Sequence, residues 1–248
     1  ERMTERKKER KKEKKETKEK KKKKERKKER MAKYYFDKYP EICEEPMSLG
    51  YDGEALRERL QKRYEYIIKP IENLKGNALT LGGYNGRIPL ALLDFMDHVT
   101  TIESIYFHQC ETNLAKYKKP EQYTVIPEDF FHALPKITEN INVLVMAGVY
   151  YHISSHQHLI NLVCSLNPEL IILDSVFLKG DKLRIDFNKG KYGLQGQATV
   201  SLTKMFFKNC GYSMKQIYWD EKDYKSSSLK DYKTGRRKTF HCTKLERN

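Results

Sequence analysis

The segment of residues 77–103 constrains the fold of this 248-residue chain more than any other stretch. A short apolar run at residues 78–81 leads into the glycine-rich turn GGYNG, and apolar residues then recur at helical spacing. A second strand-like run ends at Glu103. A strand, a tight glycine turn, a helix and a second strand in this order are typical of nucleotide-binding α/β folds.

The residue types of the turn explain what it can do. Gly82, Gly83 and Gly86 have no Cβ, so the chain can adopt positive φ and its backbone can approach a ligand closely. The helix that follows directs free N–H groups towards the same place. Glu103 lies 20 residues after Gly83, where such folds position an acid against ribose hydroxyls. The alternative is a turn that connects a strand to a helix and binds nothing.

The positive charge of the chain is concentrated at its N-terminus. The 49 Lys and Arg residues exceed the 34 Asp and Glu residues by 15, and residues 1–33, with 20 Lys/Arg and 8 Glu, contribute +12. This arm is predicted to be disordered or a solvated helix, with the ordered protein beginning near Met31. It is a candidate for non-specific contact with RNA, DNA or anionic lipid; the alternative is a low-complexity extension without a specific role.

Cysteine usage and hydropathy exclude several classes of protein. The five cysteines are scattered without a C-x-x-C pair, so neither a disulfide framework nor a zinc site is expected. His156 and His158 face different ways on a predicted helix, and no metal is expected. The longest apolar stretch, around residues 143–151, is far shorter than the roughly 20 residues that span a bilayer. These features favour a cytoplasmic protein without a membrane span.

The remaining pattern predicts two regions after the arm. Residues 34–76 form a helical lead-in with a helix over residues 53–71, and residues 77–248 form one α/β domain. Apolar runs alternate with helical stretches in this domain, which is typical of a parallel sheet buried on both faces. Two late strands without a helix between them predict an antiparallel C-terminal hairpin. After Glu103, strands are predicted at 123–126, 142–146, 170–174, 214–219 and 237–243, and helices at 105–116, 156–165 and 199–209.

Three segments of the domain carry motifs of a known family. LTLGGYNGR (79–87) is close to the form L-D-I-G-C-N-x-G, and MAGVYYHISSHQHLINLVCSLNPELIILDSVF (146–177) is close to a segment that begins G-V-L-Y-H-L. GQATVSLTKMFFKNCGY (196–212) is similar to a late helix that ends in a glycine and an aromatic residue. These segments resemble class I SAM-dependent methyltransferases, and most closely the group that methylates wobble-uridine hydroxyls in tRNA. The resemblance implies a Rossmann-like sheet, mostly parallel, with an antiparallel C-terminal hairpin and helices on both faces.

The resemblance also implies a set of residues that bind SAM. The glycines of the turn would approach its methionine part, with Tyr84 at a position where the family has glycine. Arg87 would meet the SAM carboxylate, or it is a surface arginine. Glu103 would accept both ribose hydroxyls, and Asp129, or Glu128 in its place, would contact the adenine with Phe130. Alternatively, both acids cap the helix that begins at Phe130. The full set is Gly82, Gly83, Tyr84, Gly86, Arg87, Glu103, Asp129, Phe130 and Ala147.

His152 and Tyr151 are the candidate catalytic residues. They follow the predicted fourth strand, and substrates of open α/β sheets bind at the carboxyl ends of the strands. A histidine there could take a proton from a hydroxyl nucleophile, because its pKa lies near working pH; the alternative is a histidine that packs or hydrogen-bonds in a loop. The glycines of GKYGLQGQ (190–197) predict a mobile lid. Weaker candidates for the substrate mouth are Tyr192, Gln195, Arg236 and Arg237.

The function predicted from these features is transfer of a methyl group from SAM to an oxygen or nitrogen nucleophile of a small molecule or RNA. SAM is already an activated donor, so the protein mainly has to align the nucleophile and exclude water. Two alternatives are open. One is a SAM-binding domain without catalysis, which the departures from the family pattern at Thr80 and Tyr84 would explain. The other is a nucleic-acid-binding protein that uses the basic arm.

Overall fold

The computed structural model describes residues 33–44, 53–190, 193–220 and 229–246. The predicted arm lies outside these ranges apart from Lys33, and so does Tyr192 of the predicted lid. The strands are β1 (Asn77–Leu81), β2 (His98–Ile102), β3 (Tyr123–Ile126), β4 (Val143–Ala147), β5 (Leu170–Val176), β6 (Ile185–Gly190), β7 (Gly193–Ala198), β8 (Tyr212–Ile217) and β9 (Arg237–Lys244). The α-helices are α1 (Pro40–Glu44), α2 (Gly53–Arg63), α3 (Arg87–Leu92), α4 (Phe107–Ala115), α5 (Phe130–Ala133), α6 (His156–Ser165), α7 (Val200–Asn209) and α8 (Lys230–Lys233).

The main sheet has the strand order β3-β2-β1-β4-β5-β9-β8. Strands β1 to β5 pair in parallel, whereas β9 is antiparallel to both β5 and β8. The order reverses between β1 and β4, and open α/β sheets bind their ligands outside the strand ends at such a point. The structure therefore confirms the predicted mostly parallel sheet with an antiparallel C-terminal pair.

Both faces of the sheet are buried, as the continuous apolar runs predicted. Successive side chains of a strand point to opposite faces. In β4, Leu144 and Met146 pack with helices α6 and α7 in one cluster. Val143 and Val145 pack with α2, α3 and α4 in the other. The lead-in belongs to this second cluster, so it is part of the same core as the sheet.

The late helix α7 shows how local signals set its bounds. Thr199 precedes it with extended backbone, and its hydroxyl accepts a hydrogen bond from the Leu202 N–H at 3.3 Å. Gly211 follows it with φ +83°, a conformation that glycine adopts without strain. The predicted helix and its glycine end are both confirmed.

Two predictions of secondary structure were incomplete. The helix predicted over residues 53–71 is α-helical only to Arg63, and then widens into a π turn (Tyr64–Ile68) and a 3-10 turn (Lys69–Ile71). Pro70 explains the break, because proline has no N–H for an intrahelical bond. The predicted lid, residues 190–197, covers the end of β6 and most of β7, two antiparallel strands that pair with each other apart from the main sheet. No helix in the described ranges is long and apolar enough to cross a membrane.

Candidate cofactor and acceptor site

The register of the strands brings the predicted site residues into one row at the carboxyl edge. Leu81 is paired with Ile102 of β2 and with Met146 of β4. The next residue on each strand is therefore Gly82, Glu103 or Ala147. These three stand side by side at the point where the strand order reverses. Three of the implied SAM-binding positions are thus neighbours in the fold.

The first two glycines of the turn are required by the packing around them. Gly82 has φ +80°, and a Cβ on it would lie 2.4 Å from Cγ2 of Val149. A Cβ on Gly83 would lie 2.6 Å from Cγ2 of Thr101 and 2.7 Å from Sγ of Cys110. All three distances are far below van der Waals contact. The turn thus fits closely between β2, α4 and the loop after β4, which gives its glycines a structural role whether or not a ligand binds.

Tyr84 occupies a left-handed conformation in this turn, with φ +47°. Such a conformation costs a non-glycine residue roughly 1 kcal/mol. The Tyr84 N–H donates to Oε2 of Glu103 at 2.8 Å, and the ring meets that of Tyr106 edge to face at 4.8 Å. These contacts hold the strained residue in place, so the fold accommodates the departure from glycine.

Glu103 is the acceptor that ties the turn to the loop after β2. Its side chain is only 7% exposed. Oε1 accepts from the N–H groups of Ile105 (2.9 Å) and Tyr106 (3.0 Å), and Oε2 accepts from Tyr84. A carboxylate has about four acceptor positions, so one remains, on Oε2. The implied binding of both ribose hydroxyls would therefore require the loss of a backbone bond, whereas one hydroxyl can be accepted directly.

Arg87 is buried, and its guanidinium is directed at the lead-in. Its side chain is 5% exposed, and its Nε and Nη2 donate to the carbonyl oxygen of Ile42 at 3.1 and 2.8 Å. The interpretation of Arg87 as a surface arginine is wrong, because the lead-in covers it. Its contact with the SAM carboxylate stays a prediction, and two of its nitrogens already have another acceptor.

Asp129 caps the short helix α5, as the alternative interpretation held. Its Oδ1 accepts from the N–H of Phe131 at 2.8 Å, and the residue is exposed. Phe130 is half-buried and packs against the core cluster of α6 and α7. The second carboxylate oxygen of Asp129 has no part in the cap, so a role at the adenine stays a prediction.

His152 is half-buried and is contacted by Gln195 of β7. Nε2 of Gln195 lies 2.7 Å from Nδ1 of His152. In this orientation of the amide, Gln195 donates to Nδ1, and a neutral His152 ring then carries its proton on Nε2. Burial lowers the pKa of His152, and the Arg237 guanidinium lowers it further. In this arrangement neutral His152 is a donor at Nε2, and the predicted base role would need the other tautomer.

We expect Gln195→Glu to reverse this tautomer. A carboxylate only accepts, so Nδ1 of His152 would carry a proton and Nε2 would have the lone pair. The opposite charge at hydrogen-bond distance would also raise the pKa of His152. The measurement is a pH titration of the imidazole nitrogens by NMR. Gln216→Glu on the edge strand β8 is the control that should leave His152 unchanged, and an unchanged tautomer in Gln195→Glu would contradict the assignment.

A buried ionic network beside this loop was largely missed by the sequence analysis. Asp174 of β5 is paired with Ala147 in register and is fully buried. Its Oδ1 accepts from Nη2 of Arg63 (3.2 Å) and from Nη1 of Arg237 (3.1 Å). Its Oδ2 accepts from the hydroxyls of Tyr232 (2.9 Å) and Thr239 (2.8 Å). Of these residues, the sequence analysis named only Arg237, as a candidate for the substrate mouth. The one available signal for Asp174 was its position as an acid at the end of the apolar run LIILD.

Asp231 extends the network on the other side of Arg237. It accepts two hydrogen bonds from Arg59, at 3.0 and 2.9 Å, and one from Nε of Arg237 at 2.8 Å. Burial alone would raise the pKa of Asp231, but the bonds and charges of the two guanidiniums lower it to about 2. Tyr151 contacts the same network, since its ring lies 5.3 Å from the Arg237 guanidinium carbon.

Comparison with known proteins shows the fold of this chain. No protein-family model and no curated protein matches it. The N-terminal domain of EvdMO1 with SAH bound is similar over 85% of this chain and 95% of that domain, with TM-score 0.57 and 13% identity. Magnesium protoporphyrin IX methyltransferase (ChlM) from Synechocystis PCC 6803 with bound SAM is similar over 84% and 90%, with TM-score 0.57 and 13% identity.

A third solved structure extends the comparison. The 1,6-didemethyltoxoflavin-N1-methyltransferase of Burkholderia thailandensis, with 1,6-didemethyltoxoflavin and SAH bound, is similar over 80% of this chain and 82% of that one, with TM-score 0.56 and 9% identity. At such low identity these likenesses establish the fold alone. The chain has the Rossmann-like fold of SAM-dependent methyltransferases.

Proposed function

We propose that the chain is a SAM-dependent methyltransferase that acts on a small molecule. The observation that carries the proposal is the row formed by Gly82, Glu103 and Ala147 at the point of strand reversal. Solved structures of the same fold hold SAM or SAH. A SAM site at this row would account for both findings.

The residues present fit the groups that SAM carries. Its ribose hydroxyls and adenine amino group are hydrogen-bond donors, and the row and its neighbour β3 supply carboxylates. Glu103 has one acceptor position left beside its three backbone bonds. Asp129 follows β3 and uses one oxygen for its cap. When bound, SAM supplies the activated methyl group.

The loop after β4 would position the methyl acceptor. Tyr151 and His152 lie at the carboxyl end of β4, next to the glycine turn after β1. His152 would donate from Nε2 to a polar atom of the acceptor and so orient its oxygen or nitrogen nucleophile. Because the donor is activated, this alignment and the exclusion of water are the main tasks of the protein.

The names of two similar enzymes support a small-molecule acceptor. They act on magnesium protoporphyrin IX and on 1,6-didemethyltoxoflavin, as their names state. An RNA acceptor, including the tRNA wobble uridine of the sequence resemblance, would draw on the basic arm of residues 1–33 for affinity. The free cysteines of the described part, Cys110, Cys164, Cys210 and Cys242, support a cytoplasmic location.

The test is calorimetric titration of the full 248-residue chain with SAM and with SAH. We expect saturable binding of both ligands. Glu103→Gln should weaken it tenfold or more, since a hydrogen bond to a charged group contributes about 1.5–3 kcal/mol. Glu121→Gln, at an exposed carboxylate, is the matched control. Absence of SAM and SAH binding in the wild-type chain would overturn the proposal. If SAM binds, assays of SAH formation with candidate acceptors would identify the substrate.

A further inference from the structure

Two arginines converge on the loop that would hold the methyl acceptor. Arg63 is the last residue of α2 and Arg237 is the first of β9. A Cβ on Gly148 would lie 3.9 Å from Nη2 of Arg63 and 3.9 Å from Nη1 of Arg237. Gly148 directly follows β4 and precedes Tyr151 and His152. Both guanidiniums therefore lie beside the proposed acceptor site.

Arg63 is incompletely paired in the described part of the chain. Its side chain is 12% exposed, and it shares Oδ1 of Asp174 with Arg237. Its Nε is buried without a hydrogen-bond partner. An arginine stays protonated in proteins, so it cannot relieve burial by losing its charge. No ligand can reach this sealed Nε, but Nη1 of Arg63 is neither sealed in this way nor bonded to a described residue, so the guanidinium keeps a donor for an additional anion.

The position of the pair separates it from the cofactor residues. Across the sheet, the implied SAM-binding residues follow β1, β2 and β3 or, as Ala147 does, end β4, whereas the arginine pair contacts β5 and the loop after β4. Strand β5 is two strands away from β1, a spacing of about 10 Å. An anionic group held there would thus be an anchor at one end of the acceptor molecule and not the atom that receives the methyl group.

We infer that Arg63 and Arg237 form an anion-binding subsite, and that the methyl acceptor is a small molecule with a carboxylate or phosphate group. This inference rests on the proposed function. Both kinds of group accept from the planar fork of a guanidinium, and arginine is the side chain best matched to them. Tyr151 borders the subsite, since its hydroxyl is 3.5 Å from Nη2 of Arg237.

The experiment titrates the SAH-saturated full chain with benzoate, phenyl phosphate and the neutral benzamide at constant ionic strength, followed by NMR. We expect benzoate or phenyl phosphate to bind at least tenfold more tightly than benzamide. A preference for benzoate would indicate a carboxylic acid as acceptor, and a preference for phenyl phosphate a phosphate ester. Equal affinity for benzamide, or binding of none of the three, would overturn the inference.

Variants assign the binding to the subsite. Arg63→Gln should weaken anion binding at least tenfold, and Arg63→Lys, which keeps the charge without the fork, should weaken it less. Arg57→Gln on the same helix, at a side chain that is 38% exposed, is the matched control. Anion binding that survives Arg63→Gln unchanged would also overturn the inference. If the Arg63 variants do not fold, the comparison with benzamide still shows whether the site prefers an anion. SAH binding is measured separately and tests the proposed function on its own.

Discussion

Replacing Asp174 by Asn should lower the free energy of unfolding by about 3–5 kcal/mol, because it leaves buried guanidiniums without their counter-charge. Asp174 is 0% exposed and accepts from two arginines and two hydroxyls. The amide keeps the shape of the side chain, but its nitrogen cannot accept a hydrogen bond. The loss of charge and of acceptors therefore acts without creating a cavity.

The measurement is thermal and urea unfolding of the full chain. For a protein of this size the midpoint temperature should fall by about 10 °C. Asp186→Asn is the control, since Asp186 pairs with Arg184 at 3.1 Å but is 52% exposed. Exposed pairs contribute about 0–1 kcal/mol, so this variant should differ little from the wild type. If the two variants lost equal stability, the buried network would contribute no more to the free energy of unfolding than an exposed ion pair.

Glu103→Ala should have the second large effect, a loss of about 2–4 kcal/mol of unfolding free energy together with loss of SAM binding. The carboxylate accepts from the N–H groups of Tyr84, Ile105 and Tyr106, and alanine would leave all three without this acceptor. Each lost bond of this kind costs about 1 kcal/mol or more. Tyr84 would also lose the contact that holds its strained backbone.

Because Glu103→Ala should also destabilise the turn, Glu103→Gln is the better probe of SAM binding. A loss of SAM binding in Glu103→Ala would not separate a contact with the cofactor from collapse of the turn, whereas Glu103→Gln keeps an oxygen for Ile105 and Tyr106. Unfolding by urea, with Glu121→Ala as control, checks the stability effect. Unchanged stability of Glu103→Ala would mean that the turn does not depend on this carboxylate.

Elements defined by local pattern could be predicted from the sequence. Strands β1 to β5 are continuous apolar runs because both of their faces are buried. Helix α6 begins and ends at the predicted residues, His156 and Ser165. Strand β6 begins with the alternation Ile185-Asp186-Phe187-Asn188, which the sequence analysis overlooked, whereas the glycine-rich β7 has no regular apolar alternation. They pair mainly with each other, and Gly196 donates to the carbonyl of Ile153.

The sequence by itself determined the fold class, the order of the elements and the positions of Gly82 and Glu103 after their strands. These follow from the spacing of apolar residues and from turn chemistry, which act between near neighbours. Only the tertiary structure decided that Arg87 is covered by the lead-in, that Gln195 contacts Nδ1 of His152, and which partners Asp174 has. Such partners are far apart in the chain, as Arg63 and Asp174 are by 111 residues. Their contacts depend on burial and charge in the folded core, which no local pattern encodes.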